Sequence, residues 1–412
     1  MKLYPSLVLA AHSALTEIFQ QGHYADKVIE RTLRSNPKWG SRDRAFIAET
    51  TYDCVRWFRL LATIVGLDSA AVATFSKPDF MDIIAASLTL KFAESFEKMP
   101  HFEFQRSFEK FSFKKLNGAK AAITERKIVE SIPDWLDELG AAELGDERWS
   151  AEIAALNRPA DVVLRCNVLK ISVLDLHKKL NSVGIETRKT PLSTDALILT
   201  KRANVFQTDL FKLGFFEVQD AGSQLIAPFL NVEPSMRVVD ACAGAGGKSL
   251  HLASLMNNHG KIISLDTEAW KLEELKKRAR RNGIHIIETR HIDSTKVIKR
   301  LYDTADRLLL DVPCSGIGVL RRNPDAKWKL QADFLMKVRK TQADILQDYS
   351  RILRVGGQLV YATCSILPSE NERQVEAFLA KNPNFKQLDE RKISPNTEGF
   401  DGFYMARLER LK

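Results

Sequence analysis

From about residue 215 onward, short apolar runs alternate with amphipathic helical patterns, and few folds accommodate that alternation. MRVVDACAG (236–244) is an apolar strand entering a glycine turn. KIISLD (261–266) is a second, and EAWKLEELKKRARRNG (268–283) is an amphipathic helix that stops at Asn282-Gly283. IHIIET (284–289) and RLLLDV (307–312) supply a third and a fourth strand. Residues 332–355 read as one long helix carrying Leu335, Val338, Ile345, Leu346, Tyr349 and Leu353, closed by Gly356-Gly357. QLVYATC (358–364) is a fifth strand and FYMARLE (403–409) a last one. Between them, Ser369-x-x-Glu372 reads as a capping box opening a helix that buries Val375, Phe378 and Leu379. Near-continuous apolar strands with intervening helices predict an α/β fold: a parallel sheet covered on both faces, with right-handed crossovers.

The 412 residues exceed one ordinary core, and the earlier part of the chain reads differently. Residues 1–150 show helical spacing and no period-2 strand; in SRDRAFIAETTYDCVRWF, Phe46, Ile47, Cys54, Val55 and Phe58 share one face, so Cys54 is expected in a core. The pattern changes near Asn157-Arg158-Pro159. VVLRCNVLK alternates, placing Val162, Leu164, Cys166 and Val168 on one side of a strand. Val173, Leu176, Leu180 and Val183 follow at helical spacing ahead of Gly184, and ALILT (196–200) is another strand. The expected domains are a helical one over 1–150, a small α+β segment over 151–214 and the α/β domain over 215–412.

Charge divides the same way. Residues 1–150 carry a net charge of −1 and residues 151–412 a net of +10, so the excess sits where a polyanion would be engaged. Two candidate RNA-contacting surfaces follow: residues 158–212, with 10 basic and 5 acidic side chains, and KKRARR (276–281). A solvated face is an equal reading of each.

No apolar run approaches the roughly 18 residues of a membrane span. The opening MKLYPSLVLAAHSAL contains Pro5 and His12 and continues its apolar pattern through Ile18 and Phe19, as a helix does and a secretory signal does not. The five cysteines (Cys54, Cys166, Cys242, Cys314 and Cys364) include no C-x-x-C pair. Such a set predicts neither a disulfide framework nor a metal site, and it suits a cytoplasmic protein.

In sheets of this class the ligand lies beyond the carboxyl ends of the strands. The first strand there ends in D-A-C-A-G-A-G-G-K, Asp240 to Lys248, a glycine turn that lets the backbone approach a ligand closely. Its spacing is neither G-x-G-x-x-G nor a Walker loop. Asp266 ends the second strand, where a carboxylate can accept ribose hydroxyl protons; Asp293 follows the third, within reach of an adenine amino group; Asp311 ends the fourth. Four acids at one edge predict a site.

Asp311-Val312-Pro313-Cys314-Ser315 follows the fourth strand and Thr363-Cys364-Ser365 ends the fifth. If those strands are neighbours, about 4.8 Å apart, both thiols face the ligand edge. Lys248 and nearby helix N-termini favour thiolate there. A thiolate beside a methyl donor suits one demanding reaction. Carbon 5 of a pyrimidine is a poor nucleophile, and thiolate addition to C6 makes it enamine-like. Asp311 is placed to hydrogen-bond the N3 and N4 edge of the ring, and the second cysteine to assist elimination. The base must be single-stranded or flipped out. The residues alone do not choose which cysteine attacks.

DACAGAGGKS, DVPCSGIGVLRRNPDAKW and LVYATCSILPSENERQVEAFL, with FEVQDAGSQ and DGFYMARL, resemble the motifs of the bacterial rRNA cytosine-C5 methyltransferases of the RsmB/NOP/Sun type, over about residues 155–412. The resemblance implies a class I, Rossmann-like methyltransferase domain with a mostly parallel seven-stranded sheet, and S-adenosylmethionine as donor. It implies Cys364 as nucleophile and Cys314 in product release, with Asp311 and Lys248 beside them. It assigns Cys242, Ala243, Gly244, Ala245, Gly246, Gly247 and Lys248, with Asp266, Asp293 and Asp311, to the cofactor and active-site edge. The family usually reads C-A-A-P-G-G-K; here Gly244-Ala245 replace Ala-Pro, so a looser turn is expected. The N-terminal helices are only weakly similar to the NusB-like domain of some members.

Arg321-Arg322-Asn323-Pro324-Asp325 follows Cys314 and is expected to flank the base pocket, with Trp328 either stacking on a base or forming core. The reading is an RNA cytosine-C5 methyltransferase acting as a monomer, on rRNA ahead of tRNA. Its rivals are a catalytically silent RNA-binding assembly factor and an NAD-dependent oxidoreductase, which leaves the paired cysteines unexplained.

Overall fold

Helical spacing up to Asn157 and strand-helix alternation after it produce two compact units in the computed structural model, which describes residues 2–93, 96–97 and 102–412. One unit is Met1–Asn157 with Leu320–Ala332; the other is Arg158–Val319 with Asp333–Lys412.

The first unit is helical among its described residues. Its core gathers Val8, Leu15, Cys54, Val55, Phe58, Phe80 and Ile84. Cys54 is fully buried, and burial pushes its thiol up to about 12. The segment 320–332 belongs to this unit. Asp325 accepts the Ala25 backbone N–H at 3.0 Å, Lys327 donates to the carbonyl of Arg56 at 2.7 Å, and the Trp328 indole donates to the carbonyl of Val55 at 2.8 Å. The Trp328 ring lies edge-on to Phe58, 5.7 Å between centroids. Arg321 and Asp325 are buried, Arg321 gives its carbonyl to Arg56, and Trp328 is core.

In the second unit, β1 (Val163–Cys166), β2 (Thr187–Lys189), β3 (Ala196–Leu199) and β4 (Phe216–Val218) form a small antiparallel sheet in the order β2-β3-β1-β4. All four residues of β1 are buried, so both of its faces are covered and the expected alternation is absent; Val168 lies past the strand and is exposed. β4 extends this sheet beyond residue 214, the expected boundary. The helix Val173–Ser182 buries Leu176 and Leu180, while Val183 falls outside it and is exposed.

The larger sheet holds β5 (Arg237–Asp240), β6 (Lys261–Asp266), β7 (Ile287–His291), β8 (Ala305–Asp311), β9 (Leu353–Thr363), β10 (Phe385–Ile393) and β11 (Phe403–Arg410), in the order β10-β11-β9-β8-β5-β6-β7. The five strands β5 to β9 are parallel, β11 runs antiparallel to its neighbour β9, and β10, antiparallel to β11, returns to the common direction. This is the class I, Rossmann-like methyltransferase arrangement. β5 is flanked by β6 and β8, so the chain reverses its direction of travel across the sheet there, the place where such sheets bind ligands.

Three local expectations change. The long helix is Ala332–Tyr349, and Gly356-Gly357 lie inside β9, where the β8–β9 register shifts; a glycine pair marks an irregular strand as readily as a helix end. No capping box opens at Ser369: a short 3-10 turn, Pro368–Glu370, precedes the helix Glu372–Lys381, whose N-cap is Asn371. β10 was not expected at all. Its seven central residues are exposed and all but Leu388 are polar, so it carries no hydrophobic period. Among the described residues, no helix is long and apolar enough to cross a membrane.

Candidate active site

Chain reversal at β5 brings the carboxyl ends of β5 and β8 together. Asp240 closes β5, Asp311 closes β8, and Lys248 reaches from the helix Gly247–Leu255 to Asp311 at 2.5 Å. Burial opposes charge on Lys248, but Asp311 outweighs it, with Cys364 and Asp240 adding, so its pKa is raised. Lys248, expected to favour thiolate, has its ammonium paired with Asp311, and Cys364 lies within its field.

The glycine turn is built as its sequence requires. Gly244 and Gly246 have φ of +54° and +86°, a region where a side chain is strained. A Cβ on Gly246 would fall 2.4 Å from Leu275, whereas one on Gly244 or Gly247 would meet nothing within 4 Å. The turn therefore packs on one side and is open on the other. Asp266 holds it: one carboxylate oxygen accepts the Gly244 N–H and the other the Glu268 N–H, both at 2.8 Å. Ala243 is buried, and burial with the charges of Asp240, Asp311 and Asp266 keeps the Cys242 thiol well above its ordinary range. Asp293 is exposed just past β7 and accepts a hydrogen bond from Ser294.

Two arginines grip the turn from behind. Arg278 donates to the carbonyl of Ala245 at 2.7 Å and Arg165, from β1, to that of Gly247 at 2.6 Å. Arg278 and Arg281 both pair with the buried carboxylate of Glu217, which burial would raise but which they and Asn282 hold below its ordinary value. KKRARR is thus divided: Arg278 and Arg281 face inward, and Lys276, Lys277 and Arg280 are exposed.

Asp240 is buried, and burial raises its pKa to about 7 despite a 2.6 Å hydrogen bond from Ser249. The unfolded carboxyl ionises near 3.8. Between those values the native state keeps a proton that the unfolded state has lost, so stability falls as pH rises through this window, by on the order of 4 kcal/mol, and levels off above it. Asp240→Asn, which still accepts from Ser249, is expected to flatten that fall. Urea unfolding of both proteins at pH 5 and pH 8 measures it; equal slopes for the two would refute the assignment.

β8 and β9 are neighbours, with Asp311 opposite Ala362. The sulfurs of Cys314 and Cys364 lie 3.0 Å apart, and the Cys364 N–H points at the Cys314 sulfur at 3.3 Å. Both cysteines are part-exposed and free. The hydrogen bond to Cys364 raises the Cys314 pKa well above its ordinary range, with burial and the charges of Cys364 and Glu370 adding. The two loops are stitched together, since Gly318 N–H donates to the Cys364 carbonyl at 3.0 Å and Gly402 N–H to the Gly318 carbonyl at 2.8 Å.

The geometry agrees with comparisons to known proteins. The family model for the 16S rRNA methyltransferases RsmB/F matches residues 227–409, and the RsmF/B-like ferredoxin-like domain matches residues 132–206. The ribosomal RNA small subunit methyltransferase B of Shewanella oneidensis is 35% identical over 290 residues, 68% of this chain and 67% of that one. The chain belongs to the RsmB-type rRNA methyltransferase family. A probable member from Bacillus subtilis is 29% identical over 97% of this chain and 98% of its own. The solved methyltransferase homologue from Pyrococcus horikoshii covers 69% of this chain with a TM-score of 0.62 and 27% identity.

Against the usual RsmB-type turn, the Gly244-Ala245 departure coincides with the Arg278 grip on Ala245. The roles of Arg165, Arg278, Glu217 and Glu370 carry no signal in the local pattern, because their partners lie up to 82 residues away along the chain, and Asn371 reads locally only as part of a helix start.

Proposed function

We propose that this chain transfers a methyl group from S-adenosylmethionine to carbon 5 of a cytosine in ribosomal RNA. The observation that carries the reading is the sulfur pair, 3.0 Å apart on adjacent strand ends, beside the Lys248–Asp311 ion pair. A structural thiol has no need of a second one at that distance at a ligand edge.

The residues present fit the cofactor. The open side of Gly244 and Gly247 leaves room for it, and the two Asp266 oxygens, each with one backbone partner, retain lone pairs for ribose hydroxyls. Cys242–Lys248 would line it, and exposed Asp293 suits an adenine amino group. When bound, S-adenosylmethionine supplies an electrophilic methyl group on a sulfonium.

The chain's own groups do the rest. Cys364 attacks C6 as thiolate, forming a C6–S bond and moving electron density to C5. Asp311 orients the N3/N4 edge, and Lys248 stabilises charge that builds on the ring. While Cys364 is anionic, it keeps the Cys314 proton in place. Once its sulfur is a thioether, the part of that opposition due to the Cys364 charge ends, which eases loss of the Cys314 proton to solvent. Cys314 then takes the C5 proton, C5=C6 re-forms, and the C6–S electron pair returns to Cys364. The free thiols fit a reducing compartment, the cytoplasm, and the exposed bases near residues 276–280 suit phosphate contact.

Incubation with methyl-labelled S-adenosylmethionine and separate pools of small-subunit rRNA and tRNA tests this. The expected result is label in rRNA, at one cytosine that resists bisulfite conversion. No label in any RNA, or label on a base that bisulfite still converts, overturns it; label in tRNA alone overturns the substrate.

A further inference from the structure

Two consecutive buried residues grip the two cysteine turns, one each. Glu370 is fully buried, and both of its oxygens turn to the residue after Cys314: Ser315 N–H donates to one at 2.8 Å and Ser315 Oγ to the other at 2.6 Å. Gln342, also fully buried, donates both to Glu370 at 3.2 Å and to the carbonyl of Pro313 at 2.9 Å. Cys314 is therefore held at both of its peptide neighbours. Asn371 does the same for the other turn. Its side-chain oxygen accepts from Thr363 Oγ1 at 2.5 Å, and its amide donates to the carbonyl of Ser365 at 3.0 Å. Thr363 and Ser365 are the neighbours of Cys364.

Burying an unneutralised carboxylate costs several kcal/mol, and apolar packing would hold a loop as well. What hydrogen bonds supply and packing does not is a fixed distance and direction. We propose that Glu370 and Asn371 are a pair of positioning residues. Because they are adjacent in the chain, they set the spacing of the two sulfurs: Glu370 places Cys314 for release and Asn371 places Cys364 for attack. This rests on the cysteine chemistry proposed above. A displacement near 1 Å in such a site can cost about 10²-fold in rate.

The two roles separate in a single-turnover experiment with rRNA, read both as methyl transferred and as protein–RNA adduct on a denaturing gel. Glu370→Gln is expected to leave the first methyl transfer unchanged and slow release by about 10²-fold, so adduct accumulates. Asn371→Ala is expected to slow methyl transfer by a similar factor without accumulating adduct. A merely structural role lowers both steps together, with the folded fraction, and that outcome overturns the proposal. Gln342→Met, which leaves Glu370 in place but frees Pro313, is expected to repeat the Glu370→Gln phenotype and serves if that variant fails to fold; absence of adduct then also overturns it. Cys314→Ala is the control. If it yields no adduct, the underlying chemistry fails, and if it does while Gln342→Met and Glu370→Gln do not, only the positioning role fails.

Discussion

Cys364→Ala is expected to abolish methyl transfer, with a loss on the order of 10⁶-fold, the scale seen when a covalent nucleophile is removed. The size follows from the proposed cytosine substrate: without a sulfur at C6, carbon 5 would have no enamine character and the methyl group nothing to attack it. The fold has little reason to change. The Cys364 side chain is part-exposed, and the carbonyl that receives Gly318 N–H is backbone, which alanine keeps. Cofactor binding should therefore survive, and calorimetric titration separates a dead site from a missing one. Normal turnover by the variant would remove Cys364 from the mechanism.

Cys314→Ala is expected to fail later. Attack and methyl transfer proceed once, and the C5 proton then has no base positioned to take it. The enzyme stops with its C6–S bond intact. Product should appear as a burst equal to the enzyme present, and a protein–RNA band should persist through denaturing electrophoresis. Steady-state rate falls by about 10² to 10⁴, the usual contribution of a positioned base. If Cys364→Ala instead trapped RNA and Cys314→Ala were the inert variant, the two roles would be exchanged. If neither trapped RNA, no covalent intermediate would be involved.

The strands and the acids at their ends were legible because buried parallel strands are almost uninterrupted apolar runs, and a residue just after such a run can be placed at the ligand edge with no other information. Asp240, Asp266, Asp311, Cys314 and Cys364 were found that way. What stayed hidden depends on partners distant in sequence. Glu370 read as part of a helix start, and nothing near it indicates Ser315, 55 positions earlier. Arg278 read as one of a basic cluster facing solvent, because Glu217 is 61 positions away. The partners of Arg321 and Asp325 were hidden in the same way: they are Arg56 and Ala25 in the helical unit, some 265 and 300 positions earlier. β10, exposed along its centre and polar there but for Leu388, has no periodic signal to read.

β11 lies between β9 and β10, away from the edge of the sheet, and Gly402 at its start closes onto Gly318, whose own N–H meets the Cys364 carbonyl. A Cβ at Gly318 would fall 2.2 Å from the Gly402 carbonyl, so this junction tolerates no substitute. During translation, the ribosome releases residues 402–410 after both cysteine turns have already emerged. A nascent chain stalled short of them holds two thiols and a cofactor turn but lacks the strand that seals them together. The two cysteine turns are therefore tied through Gly318 to β11 only once that segment has been delivered, which makes the closing of this edge a late step for a growing chain.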